Sequence, residues 1–271
     1  MDKIGTGKKV IVVGAGLAGS LMSCYLARMG YTVEIYERRN DPRQQGYAGG
    51  RSINLALSAR GLAGLRGAGL EDIVMKNDAI PMRGRMIHPV HGDLHFQAYS
   101  SDPRDAINSV SRGGLNITLL NAAEQYPNVK TFFDHFCLDV DFASNTVSFQ
   151  TPSGVVKATA DLIIGADGAY SAVRLAMQKS DRFNFSQTYL DAGYKELHIP
   201  SAASLGLDTQ KYDGFAMEPN ALHIWPRGGS MMIALPNRDK SFTCTLFWPF
   251  KGKHSFENLK TTSDIQTFFA T

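Results

Sequence analysis

Three glycines and an acid carry the first chemistry legible in this chain. Gly14, Gly16 and Gly19 form the string Gly14-Ala15-Gly16-Leu17-Ala18-Gly19, and Glu37 follows about 20 residues further on, the spacing of a dinucleotide fingerprint. Gly14 suits a tight turn, Gly16 lets backbone approach a pyrophosphate, and Gly19 lets a helix pack closely on a strand while its first N–H groups face the anion. An acid placed like Glu37 accepts both ribose hydroxyls of an adenosine and repels a 2′-phosphate, so FAD or NAD is expected there, not NADP. Arg38 and Arg39, next in the chain, suit solvent as well as a cofactor's phosphates. A second small-residue turn, Gly165-Ala166-Asp167-Gly168, again permits close backbone approach. There Asp167 is able to accept hydrogen bonds from a ligand, and Ser171 suits a helix cap.

A separate pattern suits an anion. In the strand expected over 80–88, Arg83 and Arg85 share one phase with Ile87, and an arginine forks onto a carboxylate with two hydrogen bonds. A solvated edge-strand face fits the same pattern equally well. His91-Gly92-Asp93 reads as a hairpin turn, and Tyr99 then falls in the polar phase of the returning strand with His95 and Gln97, facing the same space as Arg85. His88, His91 and His95 crowd together in sequence, but Pro89 and Gly92 forbid a helix that would bring them onto one metal, so none is expected.

The elements that must position these groups follow from periodicity. A β-branched strand over 8–13, a helix over 20–28 closed by Gly30 and a strand over 31–37 make a βαβ unit. A polar, glycine-rich loop over 38–50, a strand-like stretch over 51–58 and a helix over 59–65 come next. Ser109-Val110-Ser111-Arg112 precedes a helix with Leu115, Leu119 and Ala122 on one stripe. A four-stranded β-meander is expected over 129–160, then a strand into the second glycine turn, then alternating segments over 222–225, 231–235 and 242–248 that read as an antiparallel sheet.

A length of 271 residues suits about two domains, and a net charge of +3 with scattered basic residues gives no reason for nucleic acid. Cys24, Cys137 and Cys244 are few, odd in number and far apart, which reads as reduced thiols in an intracellular compartment. No leader peptide and no apolar run of membrane-spanning length is expected.

The glycine fingerprint, Val110-Ser111-Arg112 and Gly165-Ala166-Asp167-Gly168 with Ser171 and Arg174 resemble, in order and spacing, the single-component FAD aromatic hydroxylases. The strings over 50–58, 80–88, 216–220, 222–227, 231–237 and 240–247 look like the kynurenine-hydroxylating branch of that family. The resemblance implies an α/β fold: a Rossmann-like FAD-binding domain of the para-hydroxybenzoate hydroxylase type with an inserted β-meander, and a second, antiparallel-sheet substrate domain. Boundaries on this basis are 1–78 and 103–180 for the FAD-binding domain, 79–102 for a substrate-sheet hairpin and 181–271 for the substrate domain.

Carried over position by position, the resemblance implies FAD contacts at Leu17, Ala18, Tyr36, Glu37, Arg38, Arg39, Ala56 and Arg112, and at the less distinctive Cys137 and Ala172. It places Arg85 and Tyr99 on the amino-acid carboxylate of L-kynurenine. The implied reaction uses NADPH and O2, passes through a flavin C4a-hydroperoxide and needs no metal and no protein acid-base dyad, in a step of tryptophan degradation. The protein orients the ring and keeps water out. Family members continue well past the position of Thr271, with a Gly-Asp-Ala-Ala-His segment on the flavin and, in animals and fungi, an anchor in the mitochondrial outer membrane. The chain is therefore expected to be a truncated portion, soluble by itself. Two alternatives stay open: a catalytically incomplete FAD-binding remnant, or another FAD-dependent oxidoreductase.

Overall fold

A computed structural model describes residues 4–44 and 53–270; much of the glycine-rich loop and the start of the strand-like stretch at 51 lie outside them. In chain order the strands are β1 (Lys9–Val13), β2 (Thr32–Tyr36), β3 (Asn54–Leu57), β4 (Ala79–Met82), β5 (Gly84–Ile87), β6 (His95–Ala98), β7 (Ile107–Ser111), β8 (Val129–Phe132), β9 (Phe136–Asp141), β10 (Thr146–Thr151), β11 (Gly154–Thr159), β12 (Leu162–Gly165), β13 (Ala192–Ile199), β14 (Ala221–Arg227), β15 (Ser230–Pro236) and β16 (Phe242–Pro249). The α-helices are α1 (Leu17–Arg28), α2 (Ala59–Ala68), α3 (Glu71–Asn77), α4 (Arg112–Glu124), α5 (Ala172–Gln178) and α6 (Thr262–Phe269). Two compact units result: 1–50, 63–74 and 113–186 form the first, and 51–62, 75–112 and 187–271 the second. The segments 51–62 and 103–112 cluster with the second unit because β3 and β4 both pair with β7.

The first unit is built on a parallel sheet in the order β12-β1-β2-β8. Val10 and Val12 of β1 pack with Val33, Ile35, Cys24 and Leu120 on one side, while Ile11 and Val13 pack with Tyr36, Val147 and Phe149 on the other. A continuous β-branched run is what such a doubly covered strand requires. One expectation is corrected here. The stretch at 129–133 is not the first strand of the meander: β8 lies parallel beside β2, Val33 opposite Val129, with α4 as the preceding crossover helix. The meander has three strands, β11-β10-β9, and its Val140, Val147 and Phe149 cover the far face of β1.

The second unit holds a three-stranded sheet, β3-β7-β4, and a six-stranded sheet in the order β13-β16-β15-β14-β5-β6. The six-stranded sheet buries one face, where Phe242, Cys244 and Ala234 pack on Phe215. A single strand over 80–88 was expected, and two are found. The chain leaves β4 at Met82, Arg83 N–H donates to the Asn220 carbonyl (2.8 Å), and β5 begins at Gly84 in the other sheet. Gly84 is required for that step, since a Cβ there would lie 2.6 Å from the Phe96 ring. Arg83 and Arg85 therefore do not share a strand, and the Arg83 side chain donates to the Pro103 carbonyl (3.1 Å).

Candidate cofactor and substrate sites

In the first unit the glycine turn links β1 to α1. Gly14 has φ +104°, and a Cβ there would lie 2.5 Å from the carbonyl oxygen of Ala166, so the two glycine turns touch backbone to backbone. Gly19 lies buried against the Gly14 backbone. Gly16 differs: among the described residues nothing lies within 4 Å of the place a Cβ would take, and its φ of −71° is open to any residue. Its freedom from a side chain is not needed by the described part of the fold. It caps α1 without any side-chain hydrogen bond, and the first turn of the helix carries no acid. The end of α1 is thus a partial positive charge with no side-chain cap on its first N–H groups, an arrangement that suits a pyrophosphate. Leu17 and Ala18 begin that helix, and Ala18 lines a cavity of about 670 Å3 with Gly165, Ala166, Asp167 and Gly168.

Glu37 is held in place by the turn it serves. Its Oε2 accepts from Ala15 N–H (2.9 Å) and its Oε1 from Arg39 N–H (3.0 Å). A carboxylate has about four lone-pair sites, so it keeps acceptor capacity for ribose hydroxyls. Arg38 and Arg39 are exposed beside it. Tyr36 and Cys137 turn inward instead. The Tyr36 ring is stacked between Phe132 (4.8 Å) and Phe149 (4.2 Å), its hydroxyl donates to Glu34 (3.0 Å), and only its carbonyl reaches the turn, accepting from Gly14 N–H (2.7 Å). Cys137 is buried in the same cluster, where burial pushes its thiol up to about 12. Asp167 is occupied by α5: it accepts from Ser171 Oγ (2.6 Å), Ala172 N–H (2.6 Å) and Val173 N–H (3.3 Å). Ser171, the N-cap, accepts in turn from Arg174 N–H (2.9 Å). The expected contact at Asp167 thus shares its carboxylate with the start of α5.

In the second unit Ala56 and Arg112 are exposed on the three-stranded sheet and its exit, where Arg112 N–H donates to the Ile53 carbonyl (3.0 Å). The hairpin β5–β6 pairs Arg85 with Gln97, which leaves Tyr99 two residues on and on the same face. The Arg85 guanidinium lies over the Tyr99 ring at 5.4 Å, and the Tyr99 hydroxyl is buried with no partner among the described residues. A cation beside such a hydroxyl on one face is an arrangement that suits an anion. The same face carries Leu222, Ile224 and Ile233, half-buried, with Phe247 at 37% exposure. Apolar side chains on the open face of a sheet mark a surface that is covered by something else.

The histidines resolve in a way sequence spacing did not reveal. His88 turns to His223, 135 positions away, with Nε2 to Nδ1 at 2.8 Å, and its ring stacks on Trp225 at 4.1 Å. His223 Nε2 faces the Glu218 carbonyl (2.8 Å), which only accepts, so that nitrogen carries the proton and Nδ1 accepts from His88. Among the described residues no group of three His, Cys, Asp or Glu side chains could hold a metal ion. Burial, then the neighbouring His223 and Arg227, push His88 down to about 4, and burial lowers His223. A histidine neutral in the fold and free to protonate when unfolded contributes stability above its ordinary value of 6.5, and that stability drains away as pH falls from there toward about 4. The loss should amount to about 1–3 kcal/mol, nearer the lower figure for a half-exposed ring. Thermal melts at pH 7 and pH 4.5 test this. His88→Gln should flatten the dependence, and an identical pH dependence with and without that substitution would remove His88 as its source.

Comparison with known proteins bears on the family and the fold. The FAD binding domain family matches residues 8–232. A kynurenine 3-monooxygenase from Myxococcus xanthus is 48% identical over 262 residues, covering 96% of this chain and 54% of that protein. One from Sus scrofa is 48% identical over 261 residues, 96% of this chain and 52% of its own length. The chain thus spans about half the length of the curated relatives it matches. Among solved structures, 2-methyl-3-hydroxypyridine-5-carboxylic acid oxygenase superposes with TM-score 0.72 at 19% identity, over 97% of this chain and 64% of that one. A probable FAD-dependent monooxygenase from Pseudomonas aeruginosa does so with TM-score 0.65 at 16% identity, over 89% and 60%. At these identities the structures speak for the fold.

Proposed function

Because the chain belongs to the FAD binding domain family, with FAD as cofactor, we propose that it is the FAD- and substrate-binding part of a flavoprotein monooxygenase that hydroxylates L-kynurenine to 3-hydroxykynurenine. The observation that carries the substrate half of this reading is Arg85 over Tyr99, the tyrosine hydroxyl buried and without a partner among the described residues, at the edge of an apolar sheet face. An amino-acid carboxylate satisfies the guanidinium and the hydroxyl together, and a flat aryl ketone suits Leu222, Ile224 and Ile233. Similarity to relatives named kynurenine 3-monooxygenase supports the same choice.

Bound FAD supplies the redox chemistry, taking reducing equivalents from NADPH and activating O2; one oxygen atom enters the ring and the other leaves as water. The chain's own residues have other work. The free N–H groups of α1 and the carboxylate of Glu37 hold the adenosine diphosphate end; Ala56 and Arg112 are further contacts on this reading. Arg85 and Tyr99 fix one end of the substrate, and the apolar face keeps water from the ring. No protein acid or base is assigned a proton. A place at the cytosolic face of the mitochondrial outer membrane, implied for members from animals and fungi, belongs to this reading too. Among the described residues no helix is long and apolar enough to cross a membrane.

The test is direct. A protein completed to the relatives' length should give a bound-flavin spectrum with FAD, oxidise NADPH faster with kynurenine and yield 3-hydroxykynurenine. Flavin binding without any kynurenine response would leave an FAD protein of another specificity.

A further inference from the structure

The buried face of the six-stranded sheet runs on along β16 from Phe242 and Cys244 to Leu246 and Trp248, and there it opens into a cavity of about 790 Å3. Strand register shows which side of the sheet this is. Trp225 lies beside Met232 and Met232 beside Leu246, each one residue out of phase with the row Ile224, Ile233 and Thr245. Successive side chains of a strand point to opposite faces, so these walls belong to the reverse of the face that carries Arg85, Leu222 and Ile224. Phe268 and Phe269 of α6 line the cavity too, with the Phe268 ring 4.3 Å from Trp248. A hollow of this size with aromatic walls is room for a molecule of one or two rings.

Its charge is one-sided. Among the described residues that line it the ionisable side chains are Arg227 and His254, and none is an aspartate or a glutamate. Backbone holds Arg227 in place: its Nη1 donates to the His88 carbonyl (3.0 Å) and to the Pro226 carbonyl (2.9 Å). Its Nε and Nη2 have no hydrogen-bond partner among the described residues. Those two nitrogens share one edge of the guanidinium, the edge that forks onto a carboxylate with two parallel hydrogen bonds. Beside it, the His88 ring stacks on Trp225 at 4.1 Å and so fixes that indole as a wall.

We propose that this cavity is a second small-molecule site, on the sheet face opposite Arg85, and that it takes an aromatic carboxylate. The carboxylate sits on Nε and Nη2 of Arg227, and the ring lies among Trp225, Met232, Trp248 and the phenylalanines of α6. An inorganic anion would satisfy the guanidinium and leave the aromatic walls bare, while a neutral ring would cover the walls and leave the charged edge unpaired. Neither Arg85, Tyr99, Ile224 nor Ile233 lines this cavity, so the proposal stands apart from the kynurenine reading. A ligand held between α6 and the sheet stabilises the folded chain by mass action.

Trp225 and Trp248 are the only tryptophans of the chain, and both line this cavity, so the two indole N–H signals of nitrogen-15-labelled protein report on it directly. Titration with 2-naphthoate should shift both signals saturably and raise the melting temperature. The amide of the same ring, 2-naphthamide, should bind about 10- to 100-fold more weakly, the loss of charge-assisted hydrogen bonds to Arg227. Equal affinities for the two probes, or no shift of either signal, overturn the proposal. Arg227→Gln should bring the two probes to within about two-fold of each other, and a preference for naphthoate that survives the substitution overturns the assignment. Should that variant not fold, the two probes on the unaltered protein decide. Arg85→Ala, on the other face, should leave naphthoate affinity within about two-fold; its loss there would place the probe in the other site and overturn the proposal. The same titration is run on a protein completed to the relatives' length, where shifts that vanish would mean that its further residues fill the cavity, which overturns the proposal as well.

Discussion

Gly16→Val is expected to leave the fold intact and abolish FAD retention. The first half follows from the open space around Gly16 among the described residues and its φ of −71°, which a β-branched residue adopts without strain. The second follows from where the new methyl groups would go, into the space in front of the uncapped N-terminus of α1. Hydrogen bonds from its N–H groups to a pyrophosphate contribute about 1.5–3 kcal/mol each, so losing two lowers affinity by roughly two to four powers of ten. Gly14→Val and Gly19→Val are different in kind: a Cβ at Gly14 runs into Ala166 and one at Gly19 into the Gly14 backbone, so both should reduce stability as well as flavin binding. The measurement is a melting curve of the apoprotein beside an FAD titration. A Gly16→Val protein that keeps bound flavin through dialysis would move the phosphates away from α1.

The second large effect is expected at Arg85. Truncation to alanine leaves a substrate carboxylate desolvated beside the buried hydroxyl of Tyr99, which has no partner among the described residues, at a cost of about 2–5 kcal/mol, or thirty-fold to several-thousand-fold in affinity. Arg85 is exposed and pairs with no acid among the described residues, so the fold itself should be little changed. Flavin absorbance should persist, while kynurenine-stimulated NADPH oxidation moves to much higher substrate concentration. Tyr99→Phe should give a smaller loss in the same direction. An unchanged kynurenine dependence in Arg85→Ala would return this arginine to the solvated strand edge that its sequence pattern also allows.

These two sites differ in how far sequence alone reaches. The βαβ unit with its glycines, Glu37 and the cap at Gly30 is one supersecondary unit whose residue types and spacing are set along the chain, so type and spacing suffice. The β5–β6 hairpin was legible for the same reason, and the phase of Tyr99 with it. Where a side chain's partner is remote, spacing is silent. Tyr36 and Cys137 match cofactor positions by residue number, yet their side chains complete a core assembled from β1, β9 and β10. Asp167 sits in a ligand-like turn, yet its carboxylate is used by α5.

What the sequence by itself determined, then, is the set of turns and periodic segments, because backbone sterics and alternation are properties of adjacent residues. Only the tertiary structure decided which strands became neighbours. It put β8 beside β2 instead of in the meander, broke the 80–88 strand at Arg83 so that one arginine faces Tyr99, and joined His88 to His223. It also aligned Ile87, Ile224, Ile233, Thr245 and Glu196 in one row. Strand order and register depend on burying both faces of a sheet at once, a condition set by every element together and by no single stretch of chain.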